Sequence, residues 1–75
     1  MTGSTALLQA LIYENEETAL ILLNHADIDV NLADKSNYTP LMAACKNGLV
    51  RATKKLLELG ANPKASDIYG NTPLL

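Results

Sequence analysis

The sequence predicts an all-α fold, a solenoid of stacked antiparallel helix pairs with projecting β-turn loops, and three observations carry that prediction. The tetrapeptide Thr39-Pro40-Leu41-Met42 recurs as Thr72-Pro73-Leu74-Leu75, and a degraded copy, Thr5-Ala6-Leu7-Leu8, precedes both. The three threonines stand 34 and 33 positions apart, a period typical of arrays whose units stack because none can bury its apolar face alone. After each of the first two threonines, apolar residues fall at helical spacing up to a turn.

The first unit opens with Thr5, whose hydroxyl can accept an orphan N–H of a helix's first turn; Ala6 lacks the preset φ of proline, so this entrance is softer than the others. Leu7, Ala10 and Leu11 mark its buried stripe. No glycine follows. Glu14 occupies the slot that Gly48 fills in the second unit, and Asn15, which tolerates left-handed φ, is expected to make the reversal. Ala19, Leu20, Ile21, Leu22 and Leu23 then form a second helix, apolar where its counterpart carries Lys54 and Lys55. Leu20 and Ile21 must be covered or leave an exposed patch.

The second unit is the clearest. Thr39-Pro40 is a helix entrance, because proline lacks the N–H that would be unpaired at the first helical position anyway. Leu41, Ala44 and Cys45 share one stripe, and Gly48 ends the helix in the left-handed conformation. Residues 49–59 read as a second helix ending at Gly60, burying Ala52, Leu56, Leu57 and Leu59 while Arg51, Lys54, Lys55 and Glu58 face water, Lys54 and Glu58 within pairing reach. Residues 31–38 and 64–71 are turn-forming loops, and Gly3, Asn37 and Gly70 each stand two positions before a threonine, where one positive-φ shape suits all three.

With 75 residues and a net charge of −2, the chain is at most one domain. One cysteine excludes an internal disulfide, and one histidine beside one cysteine is too few for a zinc site, so no cofactor and no metal are expected. The lone thiol favours a reducing, intracellular and cytoplasmic setting. The longest apolar run, residues 19–23, is far below membrane-spanning length, and no targeting signal is read. Residues 1–33 hold Glu14, Glu16, Glu17, Asp27 and Asp29 without a Lys or Arg, whereas the rest holds all six Lys and Arg residues against Asp34, Glu58 and Asp67. The halves are therefore −5 and +3, an asymmetry suited to orienting a charged neighbour or simply to solvated helix faces.

Catalysis is not expected. His25 belongs to a different unit from Cys45, which sits where a small buried residue is wanted, and Glu14, Glu16 and Glu17 cluster at a helix start, where negative charge complements the dipole. His25 itself falls near the last carbonyls of its helix. Arg51, Lys54 and Lys55 form a basic face with no aromatic among them in an acidic chain, which argues against nucleic acid. The three tyrosines, Tyr13, Tyr38 and Tyr69, all fall at expected surface positions, leaving an aliphatic core. Tyrosine offers rigid contact area with a polar tip, so this distribution favours recognition of another molecule.

The pattern resembles the ankyrin repeat family, whose motif is Asp, two variable residues, Gly, a variable residue, Thr-Pro-Leu-His, Ala-Ala and a second helix ending Leu-Leu before Gly-Ala. Here it reads Asp34, Asn37 for Gly, Thr39-Pro40-Leu41, Met42 for His, Ala44-Cys45, Gly48, Leu56-Leu57 and Gly60-Ala61. Leu8, Met42 and Leu75 replace the family's histidine, so its hydrogen bonding is missing and packing must compensate. The resemblance implies one array over residues 1–75, with repeats at 1–33 and 34–66 and a partial repeat at 67–75. Two complete helix pairs are fewer than the roughly three that arrays need, which suggests a segment of a longer array or one completed by another molecule.

What the resemblance implies for function is a non-catalytic protein–protein interaction module that binds through turn tips and the concave first-helix face. The family's variable positions map to Lys35, Ser36, Tyr38, Lys46 and Asn47, then to Ile68, Tyr69 and Asn71, and in the first unit to Ser4, Ile12 and Tyr13. The partner is another protein, with no nucleic acid and no membrane. Leu23, Asp29, Val30 and Asn31 have the spacing that asparaginyl hydroxylases favour in such turns, against the simpler reading that Asn31 bonds across its turn. The alternatives are a structural segment stacking head to tail through its ends, or a regulatory or targeting segment of a larger enzyme.

Overall fold

The structure, a computed structural model, describes residues 3–25 and 28–73, with side chains from residue 6 onward. Four helices follow in order: α1 (Gly3–Ile12), α2 (Glu16–Leu23), α3 (Pro40–Lys46) and α4 (Val50–Glu58), with no strand among the described residues. They form two hairpins, α1 with α2 and α3 with α4. The hairpins lie side by side, α1 against α3 and α2 against α4. A first-helix layer thus faces a second-helix layer, and the core runs unbroken between the two units.

That core is aliphatic. Leu7, Leu11, Leu41 and Leu56 are fully buried, with Ala10, Ala19, Ala43, Ala44 and Ala52 letting the helices approach closely. Helix α4 is strongly amphipathic, and only Ala52 and Leu56 are buried on it. The expected burial of Leu57 and Leu59 is corrected: both are exposed, at 41% and 44%. At about 100° per residue, Leu57 is turned off the stripe that Leu56 defines, and Leu59 is the C-cap beyond it. Ile21 on α2 is 62% exposed and Leu20 half-buried, so an apolar residue is left bare there. Lys54 and Glu58 form no pair; among the described residues the ion pairs are those of Arg51.

Helix ends follow local chemistry. Thr39 stays extended at φ −96°, ψ 161°, as a residue before proline must, and its Oγ1 accepts the Met42 N–H at 3.2 Å. Thr5 is not an entrance, because α1 already runs from Gly3; with Ala6 instead of proline after it, nothing keeps Thr5 out of the helical region. Gly3 is accordingly helical and does not share the shape of Asn37 and Gly70, at φ 61° and 82°. The third helix expected after Thr72 lies outside the described residues beyond Pro73.

Three helices end in the same motif. Asn15, Leu49 and Ala61 donate their N–H five residues back, to Ala10, Ala44 and Leu56, at 2.7, 2.9 and 2.9 Å. The residue before each is left-handed: Glu14 at φ 59°, Gly48 at 67°, Gly60 at 95°. The reversal expected at Asn15 is therefore made one residue earlier, by Glu14. Asn15 is free to be the N-cap of α2, its Oδ1 accepting the Thr18 N–H at 3.4 Å.

Candidate recognition surface

Two projecting turns, each closed by an aspartate, present most of the expected partner-binding residues. Asp34 Oδ1 accepts the N–H groups of Ser36 and Tyr38 at 2.8 and 3.0 Å. Asp67 Oδ1 accepts those of Tyr69 and Asn71 at 2.8 and 2.9 Å, and its Oδ2 accepts Asn71 Nδ2 at 3.0 Å. The Asp34 and Asp67 N–H groups donate to the carbonyls of Tyr38 and Asn71, so the two turns are built alike. Neither aspartate was singled out from sequence for this task. Its signal was there, an aspartate four residues before the last turn position in both loops.

The Asn71 side chain, followed by the Asn71 and Tyr69 backbone N–H groups, holds the Asp67 carboxyl below its ordinary value, although burial pushes the other way. Burial, and then the charges of Asp67 and Asp34, push the Tyr38 phenol above its ordinary 10.0, so it stays a neutral hydroxyl at physiological pH. Tyr38 differs from the expectation of a surface ring: it is half-buried and packed on the core. Tyr69 and Tyr13 are open, at 76% and 78% exposure, and Ile68 at 61%.

The turns are joined to each other, since Ile68 donates its N–H to the Ser36 carbonyl at 2.9 Å. Lys35, Ser36, Tyr38, Ile68, Tyr69 and Asn71 therefore belong to one ridge. Lys46, at the end of α3, shares with Tyr38 and Asn71 the wall of a cleft of about 250 Å³ whose apolar lining is Met42, Cys45 and Pro73. Cys45 is only partly buried, packed against the core on one side and lining this cleft on the other. Ile12 is the last residue of α1 and Tyr13 follows it, so neither belongs to the two aspartate-closed turns. Ser4 lies outside the described side chains.

Asn47 does not belong to the open surface. Its half-buried amide donates to the Leu11 and Ile12 carbonyls at 2.9 and 3.3 Å, closing the end of α1 from the neighbouring unit. A reciprocal cap runs the other way. Glu16 Oε2 accepts the Ala52 N–H of α4 at 3.2 Å, while Arg51 binds Glu16 and Glu17 at 3.2 and 2.8 Å. Those two carboxylates raise the Arg51 pKa, Glu17 most. Asn31, the hydroxylation candidate, reaches the next unit: its Nδ2 donates to the Gly60 carbonyl at 3.2 Å and its Oδ1 accepts the Asn62 N–H at 2.9 Å.

Cys45 and His25 line different clefts, and among the described residues no group of three or more His, Cys, Asp or Glu could hold a metal ion. Among the same residues no helix is long and apolar enough to cross a membrane.

Stacked helix pairs with aspartate-closed turns define a repeat scaffold, and comparison with known proteins identifies which one. The family described as "Ankyrin repeats (many copies)" matches residues 21–74, and "Ankyrin repeat" matches residues 2–35. The chain belongs to the ankyrin repeat family. It is 41% identical over 63 residues to mouse Rabankyrin-5, covering 84% of this chain and 5% of that protein. It is 37% identical over 62 residues to the Transient receptor potential channel pyrexia of Drosophila melanogaster, covering 83% of this chain and 6% of the channel. Over 72 residues it is 31% identical to human Protein phosphatase 1 regulatory subunit 27, covering 96% of this chain and 46% of that protein. The chain thus spans less than half the length of each. Ankyrin repeats are generally protein–protein interaction modules.

Proposed function

We propose that this chain is a non-catalytic recognition segment that holds a partner protein across its turn ridge and first-helix layer. The observation that supports this reading best is a rigid turn carrying large bare side chains: Asp67 locks the loop while Tyr69 and Ile68 stay open to solvent. A preordered anchor loses little entropy on binding, which is why tyrosines on fixed loops make strong contacts. Lys35, Ser36, Tyr38, Lys46 and Asn71 extend the contact, and Tyr13 forms a separate outlying point. The aspartate-closed turns support repeat boundaries at 1–33, 34–66 and 67–75. The free, partly buried Cys45 thiol suits a reducing intracellular setting.

The test is capture of a partner with the intact chain as bait, followed by titration of that partner against variants. Tyr69→Ala is expected to weaken binding by about 2 kcal/mol, roughly thirtyfold, with helical circular dichroism unchanged. Unchanged affinity in both Tyr38→Ala and Tyr69→Ala, with the fold intact, overturns the assignment. The bare Ile21 and Val50 side chains favour a second reading, self-association of the chain. Light scattering tests it: a mass that rises with concentration supports head-to-tail stacking, and a strict monomer removes it.

A further inference from the structure

We propose that the partner segment is acidic, an extended stretch of protein that sets carboxylates on Lys35 and Lys46 and one apolar side chain in the cleft beside Lys46. This rests on the recognition reading above and names its chemistry. Among the described residues the only base in an ion pair is Arg51, and its partners Glu16 and Glu17 lie on α2. Among the same residues the Lys35 and Lys46 side chains are exposed and make no hydrogen bond or ion pair.

The carboxylates of the same ridge are in a different condition. Asp34 Oδ1 already receives two N–H donors, and the two oxygens of the buried Asp67 receive three. An arriving anion therefore meets two free ammonium groups, whereas an arriving cation meets an Asp67 turned inward with both oxygens supplied and an exposed Asp34 whose Oδ1 already holds two N–H donors. The cleft, at about 250 Å³, is smaller than the roughly 300–1,000 Å³ of ordinary small-molecule sites. It suits a side chain. Met42, Cys45 and Pro73 give that side chain an apolar seat, and Lys46 on the rim reaches a carboxylate next to it. Tyr13 falls outside this footprint, since it adjoins Glu14 in a unit without Lys or Arg.

The experiment is fluorescence anisotropy of the full chain with three short labelled peptides alternating Leu with Glu, Gln or Lys, at about 50 mM salt, where screening is weak. The glutamate peptide is expected to bind about tenfold tighter than either counterpart and to lose several-fold in affinity at about 300 mM salt. Lys46→Glu and Lys35→Glu should each weaken it about fivefold, while Lys54→Glu, on α4, leaves it within about twofold. Absence of binding by the glutamate peptide, equal binding by the Gln or Lys peptide, or an equal loss in Lys54→Glu overturns the proposal. If the Gln peptide binds as tightly and Tyr69→Ala abolishes that binding, the acidic preference falls while the recognition surface stands.

Discussion

Glu14 carries the least comfortable backbone in the array. It takes the left-handed turn at φ 59° that Gly48 and Gly60 take elsewhere, a conformation that costs a residue with Cβ about 1–2 kcal/mol. Its side chain is exposed and the Cβ at the equivalent Gly48 would meet nothing, so strain is local and not a matter of packing. Glu14→Gly should therefore stabilise the chain by about 1 kcal/mol, raising the melting temperature by about 4–8 °C in a domain of this size. Thermal unfolding followed by circular dichroism checks this; an unchanged or lower midpoint contradicts it. Asp67 makes a prediction of the opposite kind. Its native pKa lies below the ordinary 3.8, so the unfolded chain binds its proton more readily. The stability it contributes is complete above the unfolded value and is lost as pH falls from about 5 through the native value. Urea titrations across that range should show Asp67→Asn less stable than the parent at neutral pH and less sensitive to acid.

At the scale of elements, the second helices of the two units differ in how they are held. Helix α2 begins with its own N-cap, Asn15, and two acidic residues in its first turn. Helix α4 has no side-chain cap of its own at Leu49, and Glu16 of the other unit supplies one to the Ala52 N–H. The start of α4 thus depends on α2 being docked. Glu16→Ala is expected to cost about 1 kcal/mol and to speed amide exchange at residues 50–54 more than at the end of the same helix. Glu17→Ala, which removes only the exposed contact to Arg51, should leave that exchange pattern alone. Uniform acceleration along α4 in Glu16→Ala contradicts the capping role.

For the whole molecule, the consequence of a shared core and reciprocal caps is that neither hairpin is a separate folding unit. Leu56 is fully buried on α4, in a cluster that includes Leu7, Leu11 and Leu23 of the first unit. A chain of 75 residues has a stability of about 4–11 kcal/mol, and Leu56→Ala costs about 2–5 kcal/mol. Unfolding of this variant should stay a single transition with a much lower midpoint, the exchange protection of α1 falling together with that of α4. Retained protection in α1 while α4 opens would show two independent hairpins instead.

The sequence by itself determined the architecture, because its signals are local. The Thr39-Pro40 cap, the Gly48 and Gly60 helix ends, the Leu41–Ala44 stripe and the repeat period each involve residues within a few positions of one another, or a comparison of like segments. The ridge residues Lys35, Tyr38, Ile68 and Tyr69 were legible for the same reason, as turn positions. What only the tertiary structure decided lies between the units. Asn47 capping α1, Glu16 capping α4 and Asn31 holding Gly60 and Asn62 join groups 29 to 36 residues apart, so no local pattern distinguishes them from solvent-facing polar residues. Glu14 taking the left-handed turn belongs with these. Propensity alone favours Asn15 there, and docking of two packed helices fixes where the chain must reverse, overriding a preference of about 1 kcal/mol.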